Sequence, residues 1–95
     1  MRISWEDAHG LVKYTQGRCL DVSEDGLRID VQEPIPLQST VSLRAEAINL
    51  SGSATVKHVA RRGSRIVLGL ELSHPLRAQA MALVRQNVIR QSHPV

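Results

Sequence analysis

The residues best placed to do chemistry lie in one short run, Asp21-Val22-Ser23-Glu24-Asp25-Gly26. Asp21 and Ser23 present a carboxylate and a hydroxyl two positions apart, and Gly26 follows where a backbone must turn or be approached closely. The same residues also make an ordinary hairpin turn, because Asp and Ser bond their own backbone there. Catalysis has less support. Carboxylates at Asp21, Glu24 and Asp25 adjoin one another in a loop, where they are solvated, and a hydrolytic pair needs a deep cleft. His9, His58, His74 and His93 fall in a turn, a strand, a helix start and a tail, with no paired spacing and no Cys partner. Neither a catalytic residue nor a metal site is therefore expected, and no enzyme. Cys19 stands alone, which forbids an internal disulfide, fits a reducing compartment, and reads as a small half-buried hydrophobe rather than a nucleophile.

Strands must position that run. Leu27, Ile29 and Val31 alternate with Arg28 and Asp30, and Val41, Leu43, Ala45 and Ala47 alternate with Ser42, Arg44 and Glu46. Period two over such lengths gives strands with one buried face. A further strand carries Ile66, Leu68, Leu70 and Leu72, with Gly69 marking a bend, a bulge or a close backbone approach. Ala54 to Val59 precedes it, and Arg61-Arg62-Gly63-Ser64 supplies a hairpin turn. Near the start, Arg2 to Glu6 is one strand, Asp7-Ala8-His9-Gly10 a turn, and Leu11 to Val22 one extended stretch interrupted at Gly17. Glu33-Pro34-Ile35-Pro36-Leu37 is a connector. Six antiparallel strands over about residues 2–72, joined by short connections, close most readily as a barrel. The period then changes. Ser73 as N-cap and Pro75 in the first turn open a helix over about residues 74–91, with Leu76, Ala80, Leu83 and Val84 on one face to cover a barrel end.

The chain of 95 residues has room for one domain, residues 1–95. Apolar residues make up 42% and charged residues 22%, so it folds, but with no Phe, one Trp and one Tyr the core rests on Val, Ile, Leu and Ala. The net charge of +3 is unevenly placed: seven bases from Lys57 onward face only Glu71. Such asymmetry permits an anionic partner. Nucleic acid is not expected, because no aromatic residues interleave with the bases and no helix-turn-helix or zinc-finger spacing occurs. No signal peptide and no run of membrane-spanning length is present, so a cytoplasmic protein without membrane insertion is expected.

The sequence resembles the PilZ family, whose hallmark is Asp or Asn, any residue, Ser, two residues and Gly between the second and third strands of a six-stranded barrel. Asp21, Ser23 and Gly26 match it. The strand opening at Gly26, the connector before Thr40, the hairpin around Arg62 and the Val67-Leu68-Gly69-Leu70-Glu71-Leu72 strand followed by a helix also look like the family. The resemblance implies a mainly all-β, six-stranded antiparallel PilZ-type barrel with a C-terminal α-helix. It also implies binding of cyclic di-GMP, a bacterial second messenger, with no cofactor. In that role Asp21 accepts from guanine N–H groups, Ser23 supplies a hydroxyl and Gly26 holds the turn.

The family completes the site with an Arg-x-x-x-Arg stretch just before the first strand, where guanidinium groups stack on guanine, pair with its edge and neutralise phosphate. No such stretch precedes the first strand in these residues. Either it lies upstream of residue 1 or it is lost. Two missing arginine contacts, each worth about 1.5–3 kcal/mol, weaken binding by several powers of ten. Arg2, near the start of the first strand, is a candidate substitute. The alternative function is a degenerate PilZ barrel that has lost the nucleotide and serves as a protein-interaction module, with a protein partner or a neighbouring domain.

Overall fold

A computed structural model describes residues 1–46, 50–76 and 80–86. Among them seven strands form one antiparallel sheet: β1 (Arg2–Glu6), β2 (Val12–Gln16), β3 (Arg18–Val22), β4 (Gly26–Val31), β5 (Thr40–Ala45), β6 (Leu50–Arg62) and β7 (Arg65–Leu72). Their order across the sheet is β2-β1-β5-β6-β7-β4-β3. The alternation expected for β4, β5 and β7 is present: Leu27, Ile29, Val31, Val41, Leu43, Ala45, Ile66, Leu68 and Leu70 are all buried. The inward faces meet in one core with Ile3, Trp5, Cys19 and Val56. The sheet curls around that core as a half-barrel.

The sequence places six strands; the structure has one more, because Leu11 to Val22 is not a single strand. It divides at Gly17 into β2 and β3, and these two chain neighbours are the opposite edges of the sheet. Gly17 is thus the point where the curled sheet is closed by the covalent chain. A Cβ built on Gly17 would lie 2.5 Å from Ile29 Cγ2, 2.8 Å from Ile3 Cδ1 and 3.2 Å from Val31 Cγ1. The contacts come from β1 on one side and β4 on the other, so only glycine lets the two ends of the sheet converge there. Its backbone is tied to the first residue: Gly17 N–H donates to the Met1 carbonyl at 2.7 Å, and the Met1 ammonium to the Gly17 carbonyl at 3.0 Å.

One outward position of β4 departs from simple alternation. Asp30 is buried, although Arg28 beside it in the pattern is exposed. The reason is an ion pair across strands: Arg65 Nε of β7 donates to Asp30 Oδ1 at 2.7 Å, and Arg18 Nη2 of β3 stands 3.7 Å from Oδ2. Asp30 thereby joins β3, β4 and β7 at one end of the sheet. Asp30→Ala should lower the free energy of unfolding by about 1–3 kcal/mol in a urea titration, while Asp30→Asn, which keeps an acceptor, should lose less. Equal stability of Asp30→Ala and wild type would contradict this role.

The chain end needs a second correction. Residues 73–76 are not helical, so Ser73 is not an N-cap and Pro75 is not in a first turn. Ser73 instead binds β6: its N–H donates to the Ser53 carbonyl at 2.9 Å, and the two hydroxyls are 2.8 Å apart. Helix is present over residues 80–86, with Val84 buried and Met81 packed on the core, whereas Leu83 is exposed. Of the expected covering face, Leu76 and Val84 do pack on the core, joined by Met81, and Leu83 is the exception. The proposed continuation of the helix through residues 87–91, and Ala47 of the β5 pattern, lie outside the described residues. None of the described helices is long and apolar enough to cross a membrane.

Candidate functional site

The turn between β3 and β4 is built by its own polar residues. The β3–β4 register slips between Cys19 and Asp21, so Asp21, and not Leu20, stands opposite Arg28. That bulge turns the Asp21 side chain to the solvent face while Val22 remains in the core. Asp21 Oδ1 accepts from the Val22 N–H at 2.9 Å, which fixes the carboxylate, and among the described residues no hydrogen bond engages its second oxygen. The Ser23 N–H donates to the Gly26 carbonyl at 2.9 Å, and the hydroxyl reaches the same oxygen at 3.4 Å. Gly26 does not need positive φ; the glycines that adopt it are Gly10 and Gly63. What Gly26 supplies is room, since a Cβ there would lie 2.8 Å from the Leu70 carbonyl of β7.

The turn is also tied to the end of the neighbouring strand β7 and to the segment that follows it. Leu72 N–H donates to the Asp25 carbonyl at 2.8 Å, and Leu76 N–H to the Glu24 carbonyl at 2.9 Å. Its backbone is thus held at both flanks. Beside it opens a groove of about 370 Å³ whose lining includes Asp21, Ser23, Asp25, Gly26, Arg28, Lys57, His58, Gly69 and Glu71. Carboxylates occupy the turn side, and Arg28, Lys57 and His58 line it from β4 and β6.

Asp21, Ser23 and Gly26 come together in this groove; Arg2 does not. Arg2 lies over the Tyr14 ring at 5.0 Å from its centroid and lines a separate groove with Ser42, Arg44 and Ser51. Further along the chain, Arg61 and Arg65 have the Arg-x-x-x-Arg spacing, but they flank the β6–β7 turn. The pairs Gly26↔Glu71 and Val31↔Ile66 put that turn at the opposite end of β4 from Gly26, roughly 17 Å away at about 3.3 Å per residue. Arg65 is moreover committed to Asp30.

Sequence reasoning missed Arg28, Lys57, His58 and Glu71. The outward period-two positions of β4 and β7 could have pointed to Arg28 and Glu71. Lys57 and His58 are harder to find, because the β6–β7 register slips between Val56 and His58.

Cys19 sits beneath the site, 3% exposed, with its thiol 3.3 Å from the Asp21 carbonyl. Burial pushes the thiol pKa up, against a smaller opposing effect of that hydrogen bond. A group that holds its proton more tightly when folded contributes stability that is fully present below the ordinary thiol range and is lost as pH rises from there through the raised folded value. The thiolate is the reactive form, so native Cys19 should be silent to a disulfide reagent such as DTNB at neutral pH and react fully in denaturant. Rapid native reaction would contradict its burial. Among the described residues, no three His, Cys, Asp or Glu side chains gather as metal ligands would.

The described residues thus form a curled antiparallel half-barrel with an open, charged groove beside one hydrogen-bonded turn. The family model for the PilZ domain matches residues 2–90, and the chain belongs to that family. PilZ is a family of binding domains, not of catalysts, and it implies cyclic di-GMP as ligand. No curated protein and no solved structure matches the chain.

Proposed function

We infer that this PilZ domain is a cyclic-di-GMP receptor, non-enzymatic and cytoplasmic, whose ligand seat is the groove beside the Asp21 to Gly26 turn. The observation that carries the reading is the convergence of Asp21, Ser23 and Gly26 on one groove that also holds Arg28, Lys57 and His58. Guanine presents N–H donors that a fixed carboxylate accepts, while its O6 and N7 accept from guanidinium. The ligand's two phosphates carry negative charge, which Arg28 and Lys57 offset. An arginine segment upstream of residue 1 would strengthen binding further, and its ordering on the ligand would pass the signal to a neighbour. Calorimetric titration of this chain, and of a version extended at its N-terminus, tests the reading. Saturable heat is expected, and no heat from either at micromolar protein and excess nucleotide would dismiss it.

Val12 and Tyr14 of the edge strand β2, and Leu11 just before it, are all more than half exposed and favour a second reading, a protein-interaction module. That reading prevails if the nucleotide gives no heat while Tyr14→Glu strips a protein that co-purifies from native cells.

A further inference from the structure

The strand registers place four residues in one row across the solvent face. Asp21 of β3 stands opposite Arg28 of β4, Arg28 opposite Gly69 of β7, and Gly69 opposite His58 of β6. Directly paired residues of an antiparallel sheet project to the same face, so the row reads carboxylate, guanidinium, bare backbone, imidazole. At about 4.8 Å between strands, Arg28 and His58 flank the empty position with Cα atoms roughly 10 Å apart.

The empty position is what seats the imidazole. A Cβ at Gly69 would lie 3.1 Å from His58 Cβ and 3.2 Å from its Cδ2, so the ring leans over bare backbone that any side chain would crowd. The slip in β6 between Val56 and His58 brings His58 into the row and leaves Lys57 as the extra residue, lining the same groove. The ion pairs of the described arginines involve Arg18, Arg44 and Arg65, and none engages Arg28. A flat aromatic ring held against the sheet, beside two cations and across from a fixed carboxylate, suits one purine nucleotide and its phosphate.

We propose that the His58 imidazole, seated on Gly69, is a stacking platform for a guanine base of the ligand, and that Arg28 and Lys57 beside it take the phosphodiester. The proposal rests on the receptor reading and names residues for it. The cationic half of the site is then supplied in part from within the sheet, by β4 and β6. Specificity follows from the row: a purine stacks on His58 while the carboxylate of Asp21 selects a base edge that donates.

Calorimetric titration with cyclic di-GMP tests the seat, with thermal melting monitoring the fold of every variant. His58→Phe, which keeps a flat face, should bind within about threefold of wild type, whereas His58→Leu and Arg28→Gln should each weaken binding by about tenfold. In proton NMR the His58 ring signals should move upfield on titration, as a stacked purine demands. If His58→Leu and Arg28→Gln bind like wild type while Asp21→Ala loses binding, the seat is overturned and the receptor reading stands. If neither wild type nor its N-terminally extended version binds, both fall.

Discussion

Gly17→Ala should cost the fold on the order of 3 kcal/mol, and Gly17→Val should leave little folded protein, because the first atom added at this position already collides with the core. The new Cβ would meet Ile29 Cγ2 at 2.5 Å, Ile3 Cδ1 at 2.8 Å and Val31 Cγ1 at 3.2 Å, all side chains that are fully buried. Overpacking of a close-packed core usually costs about 1–3 kcal/mol, and a crossing fixed between two sheet edges belongs at the upper end. A domain of this size has only about 5–14 kcal/mol to lose. The corresponding drop in melting temperature for the alanine variant is on the order of 10–20 °C. Ile3→Val removes the Cδ1 that stands in the way, so it should recover part of the loss when combined with Gly17→Ala. The two changes should thus be less than additive in a thermal melt. An alanine variant as stable as wild type would contradict the convergence of β1 and β4 on Gly17.

Asp21→Ala carries the largest expected effect on binding. It removes the carboxylate that the Val22 N–H fixes at 2.9 Å, and with it the acceptor for guanine N–H donors. Loss of one charge-assisted hydrogen bond to the base, about 1.5–3 kcal/mol, corresponds to a fall in affinity of about ten- to hundredfold. Because Asp21 is exposed, the melting temperature should move by only a few degrees. Asp21→Asn is the discriminating partner: its amide oxygen still accepts from Val22 and from a guanine donor, so it should retain most of the binding. If alanine and asparagine variants bind equally, the side chain does not touch the ligand.

The fold was legible wherever burial alternates along one strand. Leu27, Ile29 and Val31, and likewise Ile66, Leu68 and Leu70, declare β4 and β7 because each buried side chain answers to a single inward face. The division of Leu11 to Val22 was not legible in the same way. Both halves are extended, and what separates them is the meeting of two sheet edges at Gly17, a tertiary fact whose local trace is one glycine. Asp30 shows the complementary case: its outward position in the pattern is overruled by Arg65 and Arg18, partners 35 and 12 positions away in the chain. Ser73 and Pro75 carry ordinary helix-start chemistry, yet Ser53 captures Ser73 first.

The site divides along the same line. Asp21, Ser23 and Gly26 are contiguous, so their spacing alone announces a turn that can present a carboxylate and a hydroxyl. Arg28 and His58 lie 30 positions apart and become neighbours only through the β4–β7 and β6–β7 registers, the second of which contains a bulge. Arg2 fits a sequence argument from proximity to the first strand, but its side chain stacks on Tyr14 in another groove. Local spacing reveals the turn, whereas the opposite wall is a product of strand pairing.

The central claim is tested most directly by titrating cyclic di-GMP into this chain and into its Asp21→Ala variant, side by side, at micromolar protein. Saturable heat with wild type, weakened by about ten- to hundredfold in the variant at nearly unchanged melting temperature, is the predicted result. Equal heats from the two proteins would contradict it, as would the absence of heat from wild type and from its N-terminally extended version alike.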